Sequence, residues 1–203
     1  MASIYLASRS PRRRELLAQV GVRFEMLLFR EGPRQDTETA EDPDAGEHPD
    51  DYVRRVAQLK AQSAWHCVLA RKGLRRMPVL AADTTVALAD EILGKPRDKA
   101  DAVRMLRLLS GTRHRVLTAV AVALEDRLAM KVSESFVTFC GLDEARIEAY
   151  VASGEPFDKA GGYGIQGRAG AFVERLEGSY TGVMGLPLFE TAELLREFGV
   201  TVP

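Results

Sequence analysis

Two periodicities alternate along the chain, and the changes between them mark out the elements. The run "IYLA" (residues 4–7) is apolar throughout and predicts a short buried strand. Ser10 then suits a helix N-cap, Pro11 the first helical position and Gly21 the far end, with Leu16, Leu17 and Val20 as the apolar stripe. "FEMLLF" (24–29) predicts a second strand. Residues 30–51, "REGPRQDTETAEDPDAGEHPDD", are turn-rich and acidic with little to bury, and predict a mobile surface loop. A long helix follows over about 50–71, acidic at its start and basic at its end, as its dipole prefers. Strands are predicted at "PVLAADTTVALAD" (78–90), "HRVLTAVAVAL" (114–124), "ESFVTFCGL" (134–142) and "AFVERLEG" (171–178). Helices are predicted at "KADAVRMLRLLSG" (99–111), "DEARIEAYVASG" (143–154) and "PLFETAELLREFG" (187–199). There is no internal repeat and no Ser/Gly linker, and mixed strands and helices in this order predict an α/β fold.

Composition narrows the function classes. The 203 residues suffice for one large domain or two closely packed lobes, and 46% hydrophobic with 28% charged residues is an ordinary globular balance. A net charge of −1 speaks against direct nucleic-acid binding, so the arginine clusters have to be read locally. No run approaches the roughly 18 apolar residues of a membrane span, and the N-terminal charges follow the apolar run, the reverse of a secretory signal. Cys67 and Cys140 form no CxxC and read as reduced thiols, so a cytoplasmic protein is expected. His48, His66 and His114 have no zinc spacing, which leaves a hard, oxygen-bound cation as the expected kind of metal.

The candidate chemistry begins with Arg12, Arg13 and Arg14 at the start of the first predicted helix. That is the wrong end for cations, because the exposed N–H groups there are partial-positive. A strand–turn–helix entry with Ser8, Ser10 and guanidinium groups suits a phosphate instead. A solvated arginine face with Glu15 as partner is the plainer alternative, and the Ser-x-Ser-Pro strand end favours phosphate. Lys60 falls on the stripe Val53, Val56/Ala57, Lys60, Ala64, so it either snorkels to the edge of the core or serves a site. Asp83 stands inside "VLAADTTVAL", where a carboxylate is costly unless a cation, a metal or donors meet it, and it reads as functional. Thr84 and Thr85 beside it are hydroxyl donors or plain strand formers. Lys95 in "LGKPRDKA" lies in a loop and lacks the spacing of a P-loop. "GGYGIQG" satisfies G-x-G-x-x-G at Gly162, Gly164 and Gly167, but no buried strand precedes it and the sequence after it is strand-like, which excludes a dinucleotide fingerprint. What remains is a glycine-rich loop that lets a ligand approach the backbone, with Gln166 offering a donor and an acceptor to a base edge.

Taken together, "LASRSPRRRELL", "YVRRVAQLKA", "AADTTV", "GKPRD", "MLRLLSGTRHRVLTAV", "GEPFDKAGGYGIQG" and "GSYTGVMGLP" resemble the Maf-like nucleoside triphosphate pyrophosphatases, in order from Leu6 to Pro187. The resemblance implies an elongated, twisted mixed α/β sheet flanked by helices, with a central cleft, often as a homodimer. It implies a divalent cation (Mg²⁺ or Mn²⁺) and hydrolysis of a nucleoside triphosphate to the monophosphate and pyrophosphate. Asp83 matches the family's proton acceptor. Arg12, Thr84 and Gln166 match positions of base choice in the branch acting on dTTP and UTP, which fits housecleaning of modified pyrimidine nucleotides. On this reading Ser8, Arg12, Arg13, Lys60 and Lys95 hold phosphate, and Asp83 and Glu31 hold the metal. The chain departs from the pattern where Glu31 is followed by Gly32 instead of a second acid, so another carboxylate of the loop is an alternative ligand. Two other functions stay open: the same chemistry on a modified purine such as methylated GTP, and a nucleotide-binding regulator of cell division without turnover.

Overall fold

A computed structural model describes residues 3–28 and 42–202. In chain order the elements are β1 (Ile4–Leu6), α1 (Pro11–Gln19), β2 (Phe24–Met26), α2 (Pro49–Ala70), β3 (Val79–Leu88), β4 (Glu91–Leu93), α3 (Lys99–Leu109), β5 (Arg113–Leu124), β6 (Arg127–Phe139) and α4 (Glu144–Ala152). Three 3₁₀ turns (Glu155–Asp158, Ala160–Gly162 and Arg168–Phe172) lead into β7 (Val173–Glu177), α5 (Tyr180–Met184) and α6 (Leu188–Glu197). The strands form one mixed sheet of seven in the order β2-β1-β3-β5-β6-β7, with β4 paired to β3. The expected α/β class is the one observed.

Every helix predicted from the pattern is present, and so is every strand, with changed lengths. β6 begins at Arg127 and pairs with β5 from Leu124↔Arg127 onward, several residues earlier than its sequence suggests. Residues 128–132 are all half-buried, so they carry no alternation of apolar and polar faces to betray a strand. β4 and α5 are short and were not expected. The expected loop over 30–51 falls largely on residues outside those described. No helix among the described residues is long and apolar enough to cross a membrane.

The sheet divides the core. On one face Val79 and Ala81 of β3 and Leu117, Ala119 and Ala121 of β5 pack on Val53, Ala57, Ala61 and Ala64 of α2. The small residues on both sides let that helix lie close. On the other face Leu80, Ala82, Val120 and Val122 meet Leu16, Leu17, Leu194 and Leu195 of α1 and α6. Farther along the same face, Val86, Val116, Val137 and Phe139 meet α3 and α4 through Met105, Leu106, Leu109, Ile147 and Val151. Between these two apolar clusters lies a polar seam. Thr118 is fully buried, and its hydroxyl bonds the Gly182 carbonyl (2.7 Å) and Thr84 Oγ1 (3.0 Å).

The seam coincides with a fork in the sheet. β3 pairs with β1 at Val79 and Leu80, and with β4 from Val86 to Leu88. Between them, residues 81–85 have β5 on one side and, among the described residues, no strand on the other. The chain returns across this gap at Gly161, whose N–H donates to the Gly94 carbonyl (3.0 Å). Gly161 has φ +68°, and a Cβ there would lie 2.9 Å from three carbons of Val86. Gly161→Ala is therefore expected to cost about 2–4 kcal/mol, from a left-handed backbone plus overpacking. Gly154→Ala is the control: it has φ +77° with open space around it, and only the backbone cost of about 1 kcal/mol is expected. Urea unfolding of both variants checks this, and equal losses would mean that the Val86 contact costs nothing.

Candidate active site

The fork leaves the Ala82 carbonyl without a strand partner, and Arg13 supplies one. The loop from β1 into α1 brings Arg13 across the gap, where Nη1 donates to Ala82 O (2.8 Å) and Ser8 Oγ (3.2 Å). Nε donates to Gly185 O (2.8 Å) and Nη2 to Thr84 Oγ1 (3.3 Å). Arg13 thereby ties the β1–α1 loop, the middle of β3 and the end of α5 into one unit. Its neighbour Arg12 leans the other way and pairs with Asp158 at 3.2 Å. Ser10 occupies the N-cap position of α1 without a side-chain capping bond.

Asp83 sits in the fork on the α2 side of β3. Its Oδ1 pairs with Lys60 Nζ at 2.9 Å, with 11% and 16% of the two side chains exposed. The stripe on α2 is thus realised: Val53, Ala57 and Ala64 pack on the sheet, and Lys60 on the same face reaches the strand's carboxylate. Asp83 Oδ2 is buried and has no hydrogen-bond partner among the described residues. A half-paired carboxylate there is costly to bury, and the unmade bond marks a place where a proton, a cation or a donor is accommodated.

Ser8, Arg12, Arg13, Lys60, Asp83, Thr84, Lys95 and Gln166 all line a single cleft of about 1340 Å³. Glu31 lies outside the described residues. Lys95, in the loop between β4 and α3, is exposed and makes no ion pair among the described residues. Gln166 is exposed in the glycine-rich turn. Thr84 is bound to Arg13 and Thr118 on the face of β3 opposite Asp83.

Several lining residues were not singled out from the sequence. Asp158 and Lys159 stand at the cleft next to Arg12, with Lys159 Nζ bonded to Asp158 and to the Glu155 carbonyl (2.6 Å). Their signal was an acid and a base side by side, entering a glycine loop already under suspicion. Burial works against the charge on Asp158, but Lys159 and Arg12 outweigh it and hold its carboxyl below the usual range. The glycines of the loop also make room within the protein. A Cβ on Gly164 would meet the Lys159 stem at 2.7 Å, and one on Gly167 the Glu155 carboxylate at 2.2 Å, so the room they leave goes to the protein's own side chains.

Behind the loop, Tyr163 OH lies 2.8 Å from His114 Nε2, and both rings stack edge-on with Phe139. Burial pushes the His114 pKa from 6.5 down to about 4. The unfolded chain therefore binds the extra proton, and stability is lost as pH falls from about 6.5 through about 4, by up to about 3 kcal/mol. His114→Gln is expected to flatten that part of the profile in urea titrations over the window. Equal slopes in the two proteins would assign the acid sensitivity elsewhere. Asp158→Asn tests the cleft's charge: releasing Arg12 and Lys159 from an exposed pair is expected to tighten binding of inorganic pyrophosphate about two- to fivefold by calorimetry. Unchanged or weaker binding would remove these two cations from anion recognition.

Known proteins resemble this chain over nearly its whole length. A relative from Cupriavidus metallidurans is 58% identical over 97% of both chains, and one from Ralstonia nicotianae is 58% identical over 98% of this chain and 95% of that one. A third, from Dechloromonas aromatica, is 56% identical over 97% of both. Each bears the name dTTP/UTP pyrophosphatase. Among solved structures, the Staphylococcus aureus Ham1 protein is a looser likeness, with a TM-score of 0.44 and 14% identity over 67% of this chain and 71% of that one. The sequence model of the family described as "Maf-like protein" matches residues 3–198, and the chain belongs to that family.

Proposed function

We propose that this protein hydrolyses dTTP and UTP to the nucleoside monophosphate and pyrophosphate. The observation that carries the reading is the near full-length identity to relatives bearing that name, joined to a cleft in which a half-paired carboxylate faces a set of cations. Phosphate oxygens are held by Arg12, Lys60 and Lys95, with Ser8 adding a hydroxyl. Arg13 supports the same cradle chiefly by fixing its walls, since its donors already serve three segments of the protein. Thr84 and Gln166 serve base choice, and the Gln166 amide presents one acceptor and two donors to the O4 and N3–H edge of thymine or uracil.

The residues present fit a divalent cation. Asp83 Oδ2 is an unpartnered hard oxygen ligand, and among the described residues no group of three His, Cys, Asp or Glu side chains surrounds it. A site of one or two carboxylates completed by substrate phosphates is the ordinary habit of Mg²⁺. Asp83 would hold the ion, with Glu31 as a second carboxylate, and the ion would neutralise phosphate charge and lower the pKa of water. The chain's own residues carry the remaining work. The Asp83 carboxylate, its charge balanced by Lys60, is the group beside the attacking water that takes up the proton. The water oxygen bonds the α-phosphorus, the α–β bridging bond breaks, and the cations stabilise the departing pyrophosphate.

The test is a nucleotide panel with Mg²⁺, Mn²⁺ or EDTA, scoring monophosphate and pyrophosphate against diphosphate and phosphate. Metal-dependent pyrophosphate release, fastest with dTTP and UTP, is expected. Asp83→Asn is expected to keep the fold and lower kcat about 10²- to 10⁴-fold. Pyrophosphate release from a purine would overturn the substrate, orthophosphate release would overturn the bond cleaved, and near-normal turnover by Asp83→Asn would remove that residue from the mechanism.

A further inference from the structure

Gln166 is a reader with nothing to steady its side chain. It is exposed, and its amide makes no hydrogen bond among the described residues, so its aim depends on the backbone beneath it. That backbone is a tight turn, closed by the Gly167 N–H on the Gly164 carbonyl (2.9 Å). One side chain grips the turn's exit. Glu155 Oε2 accepts the Arg168 N–H (3.1 Å), while Oε1 accepts the Tyr150 hydroxyl (3.0 Å). Tyr150 is itself buried in the cluster of α3 and α4, so the grip is anchored in the core. Burial and then the neighbouring Glu155 charge push the Tyr150 pKa up, which keeps the phenol a donor.

Gly167 is part of the same device. Its φ of −104° is not the left-handed value that by itself calls for glycine. Space does: a Cβ would lie 2.2 Å from Glu155 Oε1 and 2.7 Å from its Cδ. On the turn's other side the Lys159 stem fills the room at Gly164, and its ammonium returns to the Glu155 main-chain carbonyl. Glu155 is thus bonded to Tyr150 near the end of α4, to the start of the third 3₁₀ turn and, through its carbonyl, to Lys159. All three contacts surround the two-residue segment that carries Gln166.

We propose that Glu155 is a positioning residue for base selection, a clamp that holds the 164–168 turn so that Gln166 meets the pyrimidine edge; this rests on the dTTP/UTP reading above. Glu155 is not among the residues that line the cleft. Its loss lets the turn wander, which weakens recognition of the base and leaves the phosphate chemistry at Asp83 in place.

The experiment compares the full-length protein with Glu155→Ala, Glu155→Gln, Gly167→Ala, Gln166→Ala and the Glu155→Ala/Gln166→Ala double variant. UTP and GTP turnover, and binding of both by calorimetry, are measured alongside Tm. For Glu155→Ala the UTP KM is expected to rise on the order of tenfold with kcat within about twofold, and the UTP-to-GTP ratio of kcat/KM to fall by a similar factor. Glu155→Gln is expected to recover most of the ratio, because its amide oxygen accepts the Arg168 N–H and its NH₂ group donates to the Tyr150 oxygen. Gly167→Ala, which displaces the carboxylate without removing it, is expected to reproduce the loss even if Glu155→Ala folds poorly. In the Gln166→Ala background the Glu155 change is expected to add nothing to the ratio. A lowered Tm with the ratio intact, or a loss that adds fully to that of Gln166→Ala, overturns the clamp. If the wild-type protein turns over neither UTP nor dTTP, the activity reading falls, and the UTP-to-GTP binding ratio of the same variants decides the clamp by the same criteria.

Discussion

The architecture depends on one guanidinium. Where β1 leaves the edge of β3, the strand's outward carbonyls lose their partners, and a buried carbonyl without a donor costs about 1–3 kcal/mol. Arg13 occupies that opening and bonds Ala82, Ser8, Thr84 and Gly185. A β-strand in its place would close the sheet and abolish the cleft. A side chain gives the backbone its donors yet leaves space beside it for a ligand. This also answers the charge problem of three arginines at a helix start. Arg13 is surrounded by oxygens, Arg12 faces a carboxylate, and Arg14 points to solvent.

The fork sets the location of the half-paired carboxylate. Asp83 is the fifth residue of a ten-residue strand, in the stretch 81–85 that pairs with β5 alone among the described residues. Strand alternation then separates functions: Asp83 faces α2 and Lys60, while Thr84 faces Arg13 and Thr118. The Lys60 pair makes the carboxylate tolerable without satisfying it, since Oδ2 stays open. Full satisfaction would stabilise the fold and leave no acceptor for a proton. The site keeps an unmade bond in its core, the usual mark of residues retained for chemistry.

Much of this was legible because the relevant signals are violations of pattern. A carboxylate in an apolar strand, a lysine on a core-facing stripe and cations at a helix N-terminus each break a local rule, and each proves to line the cleft. The helices were readable from their caps and stripes for the opposite reason, since local and global preferences agree there. What escaped has physical causes. The start of β6 is uniformly half-buried and so has no period to detect. β4 and α5 are set by tertiary pairing. Asp158 and Lys159 look like ordinary surface charges until the fold brings Arg12 against them. In the glycine loop, Gly161, Gly164 and Gly167 leave room for Val86, Lys159 and Glu155, and no sequence pattern tells a ligand's space from a side chain's.

The cleft's two walls differ in kind, and this bears on how such a site can vary. The wall with Asp83 and Lys60 is built from the long central strand and the longest helix, joined through small side chains over most of their length. The wall with Gln166 is a string of 3₁₀ turns whose shape rests on side-chain clamps, chiefly Glu155 with Tyr150 and Lys159. A substitution in the first wall disturbs the core of the sheet as well as the chemistry. A substitution in the second can shift the turn by fractions of an ångström while the sheet is untouched. On the proposed reading, proton transfer and phosphate binding are tied to the stable part of the molecule, and base choice to a part that can change without unfolding it. A family built on this plan can diverge in the base it accepts more readily than in the bond it breaks.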